Sequence, residues 1–129
     1  RRCNVTARRA RRAALALTLT AAVGVAAIAG VATAAKSKRN LTASGTALAF
    51  SKKSLTAPKG RVQLVLTNKA SIQHNVAIRG NGLAAKKGKV VGKNGVSTVT
   101  ATVKPGKYTY YCTLPGHEEA GMKGTLTIK

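Results

Sequence analysis

Residues 110–129 read YYCTLPGHEEAGMKGTLTIK. On the N-terminal side of this stretch, Tyr108, Tyr110 and Cys112 recur with the two-residue period of a strand. On the C-terminal side, Gly124, Leu126 and Ile128 do the same. Pro115, Gly116 and Gly121 interrupt the pattern with turn chemistry. The segment is therefore strand, loop, strand, and the loop is held at both ends by a sheet. Cys112, His117 and Met122 stand in it at intervals of five. They offer a thiolate, an imidazole and a thioether, all soft or borderline metal donors. A loop pinned in this way can wrap one metal ion from one side, and a fourth donor has to come from elsewhere.

The chain has one other histidine, His74, in SIQHNVAIRG. The alternation there predicts an inward set of Ile72, His74, Val76 and Ile78. Two His and one Cys in a trigonal arrangement with a weak axial Met form the ligand set of a blue-copper electron-transfer site. Copper(I) prefers soft, low-coordinate surroundings and copper(II) alone prefers tetragonal ones; this set lies between them. Taken singly, His74 reads as a core histidine, Met122 as packing, and Tyr110 and Tyr111 as strand residues facing opposite ways. The four donors together outweigh those separate readings. A catalytic metal keeps an open coordination position, whereas here four donors fill the site, so an enzyme is not expected. Asp is absent from the chain, so no Ser/His/Asp set can be built. Two histidines are too few for a multicopper oxidase, and a single loop Cys is too few for a thiolate-bridged copper pair. Glu118 and Glu119, as neighbours, point apart and read as solvated loop carboxylates.

Moving back along the chain, short alternating runs separated by Gly and Pro predict an all-β fold, a β-sandwich with no helix. Leu48 and Phe50 share a face in TALAF. Val62, Leu64 and Leu66 alternate in RVQLVLT, and Val99, Ala101 and Val103 in VSTVTATV. Residues 79–95, rich in Gly and Lys, read mainly as loop, with a short strand or turn at Lys89–Val91. KSKRN, residues 36–40, reads as a polar connector. About 95 residues are enough for one core.

Residues 1–35 read as a segment apart from this domain, which spans 36–129. RRCNVTARRARR is a basic lead into the apolar run AALALTLTAAVGVAAIAGVATAA, and Ala32-Thr33-Ala34 fits a small-x-small cleavage site. A signal peptide is expected, with an uncleaved membrane anchor as the alternative, since about 20 apolar residues can span a bilayer. Either way the domain is exported, to a periplasm or to the outer face of the membrane or cell wall. Cys3 lies before the apolar run, leaving Cys112 as the domain's lone thiol. A lone thiol in an oxidising compartment needs a reason, and metal ligation supplies one.

The chain carries 23 basic residues against two acidic ones, a formal charge of +21. From Lys36 onward, 17 basic residues face two Glu, leaving about +15. Such a bias implies anionic partners or surroundings. Nucleic acid is disfavoured, because the lysines are not interleaved with stacking aromatics or set out on a recognition helix. An acidic redox protein, or an anionic membrane or wall polymer, fits better.

Cys-x4-His-x4-Met with an upstream His-Asn on a strand resembles the cupredoxins, the plastocyanin-, azurin- and auracyanin-like blue copper proteins, over about residues 41–129. The resemblance implies a Greek-key sandwich carrying one type 1 copper at one end and serving as a one-electron carrier; a monomer is expected. A copper-binding protein for delivery, storage or resistance is the alternative. By position, it implies His74 and His117 as imidazole ligands, Cys112 as the thiolate and Met122 as the axial thioether. Asn75 matches the residue that ties the two ligand loops together and points its N–H at the sulfur. The Cys-to-His spacing is azurin-like, while the His-to-Met gap is longer than azurin's.

Overall fold

The structure, a computed structural model, describes residues 36–129. The signal or anchor segment expected at 1–35 lies outside the described residues. Eight strands follow one another: β1 (Ser37–Ala43), β2 (Ser54–Ala57), β3 (Gly60–Asn68), β4 (Ala77–Gly80), β5 (Leu83–Lys87), β6 (Val96–Val103), β7 (Gly106–Tyr111) and β8 (Lys123–Ile128). They form a three-stranded sheet in the order β1-β3-β6 and a five-stranded sheet in the order β2-β8-β7-β4-β5. Both sheets are mixed: β1 runs parallel to β3 and β2 parallel to β8, while the other pairs are antiparallel. The all-β sandwich read from the alternation is the observed architecture.

The two inner faces close on each other through the residues that alternate. Val62, Leu64 and Leu66 of β3 and Val99, Ala101 and Val103 of β6 meet Ile78, Tyr108, Tyr110, Leu126 and Ile128 of the larger sheet. All are buried, as expected where one face of each strand meets a core and the other meets water. Phe50 lies against Tyr110, with ring centroids 5.6 Å apart. The Tyr110 hydroxyl donates to the Lys52 carbonyl at 2.6 Å, and burial pushes its pKa up to about 12. Gly124 stands under the Tyr110 ring, where a Cβ would collide with it.

Several expectations need correction. Ser37–Ala43 is a strand, not a connector; its first half is polar because it runs along a sheet edge, and only Leu41 and Ala43 enter the core. TALAF forms no strand, although Phe50 is buried. Strand β2 alternates, with Leu55 and Ala57 buried, but its four residues are too few to set a pattern. Leu83–Lys87 is a strand within the stretch read as loop; it lies at a sheet edge, mostly exposed, so no apolar period marks it. Its Lys86 and Lys87 suit an edge that must not pair with another chain. Ile72 points outward, 43% exposed, because the chain around His74 is not a continuous strand: His74 makes an isolated bridge to Val91.

Candidate metal centre

The sheet register brings the donors together. Ala77 of β4, Tyr111 of β7 and Lys123 of β8 share the last rung of the five-stranded sheet. One step beyond that rung lie Val76, Cys112 and Met122, and the Cys112 N–H donates to the Met122 carbonyl at 3.1 Å. Because side chains alternate across a strand, Cys112 faces inward where Tyr111 faces out. The same end of the sandwich thus receives the end of β7, the start of β8 and the approach to β4.

His74 is fixed from several sides. Its N–H and carbonyl pair with Val91 at 3.1 and 2.9 Å. The buried Asn68 amide donates to the carbonyls of Ile72 and Val91 at 2.8 and 3.0 Å, and its oxygen accepts from the Ala70 N–H. Asn75 donates to the Gly88 carbonyl and to the Thr113 hydroxyl, and accepts from the Thr113 N–H at 2.8 Å. The Asn75 side chain therefore joins the residue after His74 to the residue after Cys112, as the family resemblance implies. Asn68 went unnoticed in the sequence, where Asn68-Lys69-Ala70-Ser71 reads simply as a break.

The loop holds itself by its own backbone. The His117 N–H donates to the Leu114 carbonyl, Ala120 to Gly116, Gly121 to Glu118, and Met122 back to His117 at 2.9 Å. Gly116 and Gly121, at φ 78° and 108°, supply the left-handed turns that make this wrap possible.

His74, Cys112 and His117 present ligand atoms within 4.8 Å of one another. Cys112 Sγ lies 4.0 Å from His74 Nδ1 and 3.5 Å from His117 Nδ1, and the ring centroids are 5.1 Å apart. His74, Cys112 and Met122 are buried, while His117 is half-buried. Burial, and then the neighbouring His117, hold the His74 imidazole below its ordinary range. Its Nε2 is buried without a hydrogen-bond partner, and its Nδ1 is the nitrogen that faces the sulfur. Two imidazoles turned toward one thiol in a closed pocket fit a soft, thiophilic ion.

Over residues 37–129 the chain matches the family model described as copper-binding proteins of the plastocyanin/azurin family. The chain belongs to that family. Auracyanin-B of Chloroflexus aurantiacus is 34% identical over 113 residues, covering 64% of this chain and 48% of that protein. The chain thus spans about half the length of that relative. The structure of reduced auracyanin from Roseiflexus castenholzii superimposes with a TM-score of 0.62 at 28% identity, covering 72% of this chain and 97% of that one. Auracyanin A from Chloroflexus aurantiacus, a "blue" copper protein, gives 0.62 at 26% identity, covering 74% and 100%. As in this family generally, the donor cluster suits one copper.

Arg79, like Asn68, was not foreseen at this plastocyanin/azurin-type centre. Glu118 is not simply solvated: Arg79 of β4 grips both of its carboxylate oxygens, with the Nη1–Oε2 distance 3.2 Å, and the Arg79 Cζ lies 4.1 Å from the centroid of the Tyr111 ring. The guanidinium holds the Glu118 carboxyl below its ordinary range. No local motif marks Arg79; only the strand register puts it there.

Proposed function

We propose that the domain is a one-electron carrier, with His74, Cys112, His117 and Met122 as the ligands of one type 1 copper. The observation that carries this is the Cys112 sulfur facing two imidazole Nδ1 atoms at 3.5 and 4.0 Å in a pocket formed by the sheet end. Bound copper supplies the Cu(II)/Cu(I) couple. The protein's part is to hold the donors nearly fixed, so that little geometry has to change between oxidation states, and to keep water from the inner three. His117 alone of the three clustered donors reaches the surface, beside Leu114, Pro115 and Gly116, and serves as the electron port.

Four filling donors leave no position for a substrate, which supports a carrier over an enzyme. Buried donors also suit a resident metal better than one in transit. Copper delivery or storage would call for exposed, exchangeable thioethers and thiolates, and this chain has one Met.

The proposed setting is outside the cytoplasm, following residues 1–35, with an acidic redox partner or an anionic envelope surface around a basic domain. A cleft of about 370 Å³ on the five-stranded sheet is lined by Lys53, Lys123, Thr109 and Thr125 beside the Arg79–Glu118 pair, and its two lysines suit carboxylates of such a partner. The test is to add one equivalent of copper to the purified chain and follow the visible spectrum and voltammetry together. An intense blue form bleached reversibly by one electron supports the reading. A colourless copper complex, or a coloured one with no reversible wave, overturns it.

A further inference from the structure

Of the 17 basic and two acidic side chains from Lys36 onward, one opposite pair within ion-pair distance stands out among the described residues, and it touches both flanks of the donor cluster. Glu118 follows His117, and Tyr111 precedes Cys112. Arg79 contacts both: its two terminal nitrogens hold the Glu118 carboxylate, and its guanidinium plane covers the Tyr111 ring. Tyr111 lies on the outer face of the sheet, yet it is only 7% exposed.

We infer that Arg79 is a positioning residue for the metal centre, clamping the His117 arm of the loop against the strand that carries Cys112. This rests on the ligand assignment above. The clamp has a clear geometric target, because Cys112 Sγ and His117 Nδ1 are the closest of the facing donor pairs, at 3.5 Å. The loop's other ties lie nearer its ends or within itself. Asn75 holds Thr113 at the start, Met122 bonds back to Cys112 and His117 at the end, and the bonds between run from loop residue to loop residue. Glu118 is where a side chain in the middle of the loop reaches the sheet. The pair is partly exposed, 42% and 23% for the two side chains, so its contribution to global stability is small. Its two-pronged geometry and the aromatic contact instead fix direction.

A fork–fork contact also explains the choice of residue. A lysine in place of Arg79 would keep the charge and lose both the paired hydrogen bonds and the stacking. Arg79→Lys should therefore behave as a loss, which simple charge balance would not predict.

The test compares wild type with Glu118→Gln, Arg79→Lys and the charge swap Arg79→Glu with Glu118→Arg. Amide exchange is measured on the metal-free chain, and the visible band and reduction potential on the copper-loaded chain. Both single variants should speed exchange across His117–Gly121 by about two- to fivefold, broaden the band and shift the potential. The thermal midpoint should stay within a few degrees of wild type. The swap restores the ion pair without the ring contact and should return exchange most of the way. The clamp is overturned if loop exchange in the single variants equals wild type, or if it rises only in step with global unfolding. A wild-type chain that fails to turn blue would overturn the copper reading alone, because exchange in the metal-free chain still decides the clamp.

Discussion

His74 and His117 face the same sulfur from two different kinds of scaffold. His74 is fully buried and held by distant parts of the chain: Val91 through a β-bridge, Asn68 through Ile72 and Val91, and Gly88 and Thr113 through Asn75. His117 is half-buried on a loop whose backbone bonds close within residues 112–122. The first scaffold is built by long-range register, the second by local turns. The difference assigns them different work. On the proposed ligand assignment, the histidine locked into the sheet would set the geometry of the site, and the one on the short wrapped loop would bring the site to the surface.

Removing the sulfur that both halves share should have the largest effect. Cys112→Ser should abolish the intense visible band of the copper-loaded protein, since neither scaffold can replace the thiolate; a retained band would place the sulfur outside the site. The next substitutions separate the halves. His74→Gly and His117→Gly should each lose the colour, but added free imidazole should restore it in His117→Gly only, because a partly open cavity is left there and a sealed one at His74. Equal rescue of both would erase the distinction.

The long-range scaffold can also be broken without touching a donor. Asn75→Ala removes the tie between the two ligand segments and leaves Thr113 N–H and Gly88 carbonyl without their partner. We expect a loss of about 2–4 kcal/mol in denaturant unfolding. Glu119→Ala, on the exposed side of the loop, should change stability by less than about 0.5 kcal/mol. A cost for Asn75→Ala no greater than that of Glu119→Ala would show that the His74 side is no more tightly built than the loop. Met122→Gln should leave copper bound and lower the reduction potential, because a thioether favours Cu(I). An unchanged potential would remove Met122 from the ligand set.

The same division explains what the sequence revealed. The loop was legible because its donors, its turn glycines and its flanking strands fall within twenty residues. The inner strands were legible because Val62, Leu64 and Leu66, or Val99, Ala101 and Val103, each face one core. Strands β1, β2 and β5 were not, since they are short or lie on sheet edges and only a few of their residues are buried. Asn68 and Arg79 were invisible for a related reason. Their roles depend on partners such as Val91 and Glu118, 23 and 39 residues away, which only the folded register supplies.

The smallest expected effect concerns which histidine carries the electron out. Leu114 packs partly against the core while Pro115 and Gly116 are exposed, so the approach to His117 is small and apolar. On the other scaffold, Ile72 is exposed two residues before His74, although His74 itself is sealed. When two copies meet to exchange an electron, contact at either patch must be brief and weakly bound. A lysine placed in the contact patch sets like charges face to face, one from each copy. At about 8 Å in water that repulsion is worth about 0.5 kcal/mol, and more as the contact excludes solvent. Leu114→Lys should therefore slow self-exchange by about two- to tenfold, with the larger effect at low salt where screening is weak, and with the visible spectrum unchanged. Ile72→Lys adds the same charge near the sealed histidine and should change the rate little, because no donor edge emerges there. If Ile72→Lys slows exchange and Leu114→Lys does not, the electron leaves on the His74 side, and the loop serves only to close the site.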